Sequence, residues 1–457
     1  MEQNKMGYAP IGKLLMSMAV PMMASMLVQA LYNIVDSIFV AQISPEQLEL
    51  TAVSVAFPIQ NLMIAFGAGL AVGFTTLISK SLGERNPEAA ARAAGQGALI
   101  EAVSYIIFLI IGLFFTKAFF ESQTTNPQIV ELGTKYLSIC CVFSFGIFAQ
   151  ITFEKYLQAT GKTFLSMIVQ GVGAIVNIIL DPILIFGWFG FPQMGIEGAA
   201  IATVIGQICS AVTGAVIHFS MNKEIKIKFS HLKPHKKSLM HILAVGAPSA
   251  AMMAIGSVMT YLFNKILFAF EAVGEVAATV FGIYFKLQSF IFMPIFGLNN
   301  GMIPIIAFNF GAKNRKRIVK TIRLAAAVAI SVMVVGMLLF QLVPQTLLGM
   351  FDAKGEMLEI GSMALRKISL SFIFASVAIV MSSSFQALGN GVYSLIISFV
   401  RQLIVLIPSA YILANTLGVN HVWFSFPIAE IVSTVICVFL FVNIYKKKIK
   451  PIPDGDE

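Results

Sequence analysis

In the first apolar stretch of the sequence, Gln29, Tyr32, Asn33 and Asp36 stand at i, i+3, i+4 and i+7, one face of a helix ending in a carboxylate. A second stretch repeats the pattern with Gln170, Asn177 and Asp181 at i, i+7 and i+11, and Pro182 follows the acid directly. A polar stripe of this kind cannot face lipid, and ionisable residues in apolar surroundings mark ion or substrate paths. Two carboxylates sharing one dry chamber cannot both stay ionised unless a cation joins them. One proton or one metal ion meets that need. Oxygens of Asn177 and Thr203 would complete a shell around Na+, so Asp36, Asn177, Asp181 and Thr203 are the candidate cation-coupling set. A hydrogen-bonded helix clamp holding no ion is the alternative these residues leave open.

Further polar groups extend the inventory. Glu154 has Gln150 and Gln158 at i−4 and i+4 on its own face. Facing a cavity, its carboxylate would attract organic cations; paired with Lys155, it would be structural. Pro21, fifteen residues before Asp36, is the expected kink site of the first span, either bending as Asp36 changes partner or shaping packing alone. In the second half the intramembrane charges are Lys265, Lys286, Arg401 and Glu430; an Arg401–Glu430 pair would be structural, and Lys265 would snorkel outward. Glu101 is expected to pair with a nearby basic residue.

Other chemistries find no residues. Gly161-Lys162-Thr163 imitates the end of a phosphate-binding loop, but Tyr156 stands where the first glycine is required. The five histidines, His218, His231, His235, His241 and His421, have no metal-ligand spacing, and Cys140, Cys141, Cys209 and Cys437 read as small core residues. No cofactor is implied.

The elements that must position these groups are membrane helices. Of 457 residues, 58% are hydrophobic and 12% charged, against roughly 25% charged in soluble domains. A bilayer needs about 20 apolar residues per span. Twelve runs qualify, near 14–40, 52–78, 95–115, 131–157, 164–187, 198–221, 239–268, 276–308, 319–342, 358–387, 392–415 and 422–445. They lack the period-two alternation of barrel strands. The first run follows a basic start like a signal peptide, but its length and polar studding predict a retained helix. The net charge of +9 does not imply nucleic acid, because 22 of the 31 Lys and Arg residues lie in the termini and even-numbered connections. That asymmetry places both termini in the cytoplasm. At about 1.5 Å per residue, Asp36 and Asp181 then lie about 33 Å and 26 Å from the cytoplasmic starts of their spans, in the outer half.

The chain also repeats itself. Gly69-Leu-Ala-Val-Gly73 and Gly83-Glu-Arg-Asn86 recur as Gly297-Leu-Asn-Asn-Gly301 and Gly311-Ala-Lys-Asn314, at an offset of 228. The same offset carries Gln158-Ala-Thr-Gly161 onto Gln386-Ala-Leu-Gly389, and Pro21 answers to Pro248 at an offset of 227. Six spans per copy give both halves the same orientation, related by a pseudo-two-fold axis along the membrane normal, with the path between them. The expected organisation is an N-lobe at 1–221, a cytoplasmic linker at 222–238, a C-lobe at 239–445 and a cytoplasmic tail at 446–457. Gly69 and Gly73 would let helices approach, and Gly83 and Gly311 would end helices at the cytoplasmic surface.

With these residues in hand, the chain resembles the multidrug and toxic compound extrusion (MATE) family, in its MepA-like bacterial branch, over nearly the whole length. The resemblance rests on Pro21, Gln29, Tyr32 and Asp36, the Gly73 to Asn86 segment and its copy, Gln158 to Gly161, Asn177 to Pro182, and Gly198 to Thr203. It implies an all-α integral membrane protein of twelve helices in two six-helix lobes, exporting amphipathic, often cationic compounds by alternating access in antiport with H+ or Na+. It implies Asp36, Asn177, Asp181 and Thr203 as the cation site, which for Na+ would be its metal site. Gln29, Tyr32, Glu154 and Asp181 become the expected substrate contacts. Some members use acids of spans 7 and 10; here span 7 has none and span 10 only Glu359 near its outer end, too little for a second ion site. A multi-pass protein of the bacterial plasma membrane is implied, among membrane lipids and with nothing demanding more than a monomer. A lipid-linked saccharide flippase of the same superfamily is the alternative, and a membrane-bound enzyme a remote one.

Overall fold

The computed structural model describes residues 4–45, 48–270, 273–351 and 353–454, all in helices and connections without a strand. The ends of the expected N-lobe and tail, residues 1–3 and 455–457, lie outside the described residues. In chain order the helices are α1 (Lys5–Tyr8), α2 (Ile11–Ala41), α3 (Leu48–Gly83), α4 (Pro87–Phe114), α5 (Thr116–Gln123), α6 (Pro127–Val142), α7 (Phe145–Ala159), α8 (Thr163–Phe186) and α9 (Gly195–Met221). The second half follows with α10 (Lys236–Phe268), α11 (Gly274–Gly311), α12 (Arg315–Leu342), α13 (Pro344–Gly349), α14 (Glu356–Ser369), α15 (Phe372–Ala387), α16 (Gly391–Phe399), α17 (Ile407–Leu417) and α18 (Ser425–Ile444). A π-helical stretch, Val400–Leu406, joins α16 to α17 into one span.

Ten spans are continuous, and two more are bent pairs: α6 with α7 at 44° and α14 with α15 at 48°. Spans 4 and 10, expected as single helices, are therefore broken. A serine stands at each break and donates to the carbonyl three residues back, Ser144 Oγ to Cys141 at 2.7 Å and Ser371 Oγ to Ile368 at 2.6 Å. Such bonds compete with the helical ladder and favour a bend. On the outside, Phe114, Phe219 and Phe439 stay exposed, as lipid-facing side chains do.

The repeat is visible as local geometry. Gly83 and Gly311 end α3 and α11; two residues on, Arg85 and Lys313 take the left-handed conformation at φ 57° and 55°. Asn86 and Asn314 then cap the next helices, accepting from Ala89 N at 3.0 Å and Arg317 N at 3.2 Å. Gly161 and Gly389 likewise share positive φ, 82° and 78°.

The two copies meet along a seam in which α3 packs on α10 and α2 on α11. Glycines make this approach possible. A Cβ on Gly73 would stand 2.1 Å from the Ile242 carbonyl oxygen, and one on Gly301 would stand 2.8 Å from Ala19 Cα. Farther along, a Cβ on Gly83 would stand 1.9 Å from Phe308 O and one on Gly311 2.1 Å from Lys80 O, each copy meeting the other's helix end. Between membrane helices, packing of this closeness substitutes for a hydrophobic drive. The seam is thus closed at the end of the bundle that carries both termini.

That end is also tied by polar contacts. Arg317, 2% exposed, donates to Met6 O at 3.1 Å, Ala9 O at 2.7 Å and Asn309 Oδ1 at 3.1 Å. Asn4 Nδ2 reaches Thr160 O at 3.1 Å and also Glu224. The segment after α9 lies against α4, where Gln96 donates to the carbonyls of His231 at 2.7 Å and Lys233 at 2.8 Å.

Candidate cation and substrate site

Helix α2 runs unbroken from Ile11 to Ala41 through Pro21 and packs on α8. Along that contact the predicted stripes meet. Ser25 Oγ donates to Gln170 Oε1, and Gln170 Nε2 donates to Gln29 Oε1 at 2.8 Å. Farther along, Asp36 and Asp181 are neighbours, their carboxyl groups close enough to act on each other. Asp181 has no solvent exposure. Asn177 Nδ2 donates to Asp181 Oδ1 at 3.2 Å and to Thr203 Oγ1 at 3.4 Å, drawing α9 into the site. The α8–α9 approach depends on small residues: a Cβ on Gly206 would meet Gly173 O at 2.8 Å and Asn177 Cβ at 3.2 Å.

The structure therefore brings Asp36, Asn177, Asp181 and Thr203 into one cluster. Asp36 Oδ1, Asn177 Oδ1 and Asp181 Oδ2 are each buried without a protein donor. Buried acceptors without donors are costly. A proton shared by the acids, or a hard cation bound by these oxygens, would remove that cost. Among the described residues no three His, Cys, Asp or Glu side chains converge as a metal cluster.

Tyr32 is half-buried, with its phenol in the electrostatic field of Asp36, Asp181 and Glu154. Asn33, expected on the same polar face, is exposed. Glu154, 8% exposed, accepts from Gln150 Nε2 at 2.8 Å. Lys155 turns elsewhere, to Gln158 Oε1 at 2.9 Å and Asn300 Oδ1 at 3.1 Å. Arg401 pairs with Glu430 at 3.1 Å, and Lys265 is exposed. The expected pairing of Glu101 is not formed: among the described residues neither of its buried carboxyl oxygens has a hydrogen-bond partner, and its neighbour Lys155 bonds to Gln158 and Asn300 instead.

Sequence reasoning missed Gln60 and Tyr136. Gln60 Nε2 of α3 donates to the Tyr136 hydroxyl of α6 at 3.1 Å, and Tyr136 lies in the field of both aspartates. The available signal was weak: Gln60 is a polar residue within an apolar run, and Tyr136 stands one turn before Cys140.

Comparison with known proteins decides the family. The MatE family model matches the chain twice, at residues 21–183 and 248–412, one match in each copy of the repeat. The chain belongs to the MatE family. MATE proteins are transporters, so the chain is a multi-pass membrane transporter and not an enzyme. It is 27% identical over 433 residues to the multidrug export protein MepA of Staphylococcus haemolyticus (strain JCSC1435), covering 94% of this chain and 93% of that one. It is 25% identical to MepA of Staphylococcus aureus (strain bovine RF122 / ET3-1), covering 92% and 91%. A solved structure described as the outward-facing conformation of a multidrug resistance MATE family transporter of the MOP superfamily shares the fold. Its TM-score is 0.91 at 24% identity, over 98% of this chain and 99% of that one.

Proposed function

We propose that this MATE transporter exports amphipathic, often cationic organic compounds from a bacterium by antiport with H+ or Na+. The observation that carries the reading is the contact between Asp36 of α2 and Asp181 of α8, with Asn177 and Thr203 beside them and three buried oxygens lacking donors. A proton or Na+ satisfies the acids; an organic cation held near Tyr32, Gln29, Glu154 and Asp181 competes for the same negative charge. Binding of one weakens binding of the other, which is the thermodynamic content of exchange. The relatives named for multidrug export support the substrate class.

Alternating access supplies the path. Both termini lie in the cytoplasm, residues 1–221 and 239–445 act as lobes, and 222–238 links them. In this orientation the sealed seam is the cytoplasmic one, so the acids communicate with the outside. Reorientation parts α3 from α10 and α2 from α11, and a bend of α2 at Pro21 repositions Asp36.

The test is export of tetraphenylphosphonium from proteoliposomes under imposed pH or Na+ gradients, applied separately. One gradient should drive export by the wild type and neither should drive D36N/D181N. Gradient-driven export that survives the double substitution would refute the role of the pair.

A further inference from the structure

Glu101 on α4 is 2% exposed, and neither of its carboxyl oxygens meets a hydrogen-bond donor. Among the described residues, the groups that act on it electrostatically are the Lys155 ammonium and the Tyr156 phenol of α7. The other long helices packed on α4, which are α3, α6 and α10, contribute none. The Tyr156 hydroxyl is committed to the Ala94 carbonyl at 2.6 Å. Lys155, 8% exposed, is held by Gln158 and, across the seam, by Asn300 of α11 at 3.1 Å. A carboxylate with no donor and no bonded cation is expensive to bury.

The internal repeat shows that the fold does not require these charges. At the offset of 228, Glu101 corresponds to Ala329 and Lys155 to Ser383, both buried, while Asn300 corresponds to Val72. The second copy closes the same helix contacts without an acid, a base or an amide at these places. An acid–base pair present in one copy, with its base tied to the opposite lobe, reads as a functional addition.

We propose that Glu101 is a second proton site, switched by Lys155 across the lobe seam. While the seam is closed, Asn300 holds Lys155 and Glu101 carries its proton. Opening of the seam removes Asn300, and the lysine, a flexible stem with rotatable donors, turns to Glu101. The Glu101 O–H bond breaks, the proton passes to water on the newly opened side, and the carboxylate takes the ammonium as its partner. A nearby cation favours that ionisation. Closing the seam returns Lys155 to Asn300, and Glu101 takes up a proton from water on the outer side. The switch rests on the transport reading above but not on the Asp36–Asp181 pair.

The experiment uses the full chain in proteoliposomes, with tetraphenylphosphonium as the transported cation and protons counted per cation moved. E101Q and K155M should each lower that ratio by about one proton and flatten the pH profile of transport, with tetraphenylphosphonium binding retained. N300V, carrying the first copy's residue, removes the cross-seam hold on Lys155 in the closed state and should lose the same proton. If the single variants do not fold, E101A/K155S carries the second copy's side chains at these positions and should behave as E101Q. A wild-type ratio in E101Q, or in E101A/K155S, would overturn the proposal, as would a wild type that moves no protons with the cation. If D36N/D181N stops export while E101Q keeps the wild-type ratio, the switch fails and the acid pair stands. If E101Q loses its proton while D36N/D181N exports normally, the switch stands and the acid pair fails.

Discussion

Asp181 is reached by Asp36 from the neighbouring helix and by Asn177 from one turn away, two side chains that sequence spacing had already placed on polar stripes. D181N keeps the shape of the side chain and removes the charge. It should lower gradient-driven export about 5- to 150-fold, the effect of a site-to-site coupling of about 1–3 kcal/mol, measured as initial rates in proteoliposomes. N177L leaves Asp181 Oδ1 without its donor and should destabilise the protein by about 1–3 kcal/mol, read as a lower unfolding midpoint in detergent. At the surface, the Arg315 guanidinium grips Asp454 at 2.7 and 2.6 Å and holds its carboxyl below the usual range. A carboxyl depressed in the folded state stabilises above its unfolded pKa. Docking of the tail on α12 should thus be full at neutral pH and be lost as pH falls through the depressed value. Hydrogen exchange of residues 445–454 would follow this, and D454N should release the tail at every pH. The aspartates and Asn177 were legible because helical periodicity sorts polar residues onto a face, and Thr203 through the family resemblance. Gln60 and Tyr136 were not, because polar residues in separate apolar runs give no indication of which helix they will face.

For the helices, the repeated motif prescribed more than topology: the turns at Arg85 and Lys313, with their Asn caps, follow from one sequence pattern used twice. The glycines were readable as close-packing sites, but their opposite numbers were not, since no local rule says that Gly73 meets Ile242 or that Gly83 meets Phe308. The bends in spans 4 and 10 were hidden by hydropathy, which averages over the serine that interrupts each helix. Adding a methyl at Gly73 forces it against a backbone oxygen of α10. G73A should therefore disfavour the closed seam by about 1–3 kcal/mol, the usual cost of overpacking. Cysteine labelling along the α3–α10 contact should rise in that variant and stay low in the parent. Unchanged labelling would mean that the seam is not the barrier described.

At the scale of the whole molecule, two copies of one six-span unit are joined into a bundle, and the acids sit in the first copy. Hydropathy and repetition make that architecture legible, because lipid leaves the backbone few ways to cross it. The placement of Lys155 between Glu101 and Asn300 was not legible, since it depends on how the copies dock. In the function proposed above, a small cation and an exported one compete for the Asp36–Asp181 pair. The most direct measurement is tetraphenylphosphonium affinity of the purified protein, titrated against pH and against Na+. Affinity should fall as protons or Na+ are added, and D36N/D181N should abolish that dependence. A dependence as steep in the double variant as in the parent would contradict the account.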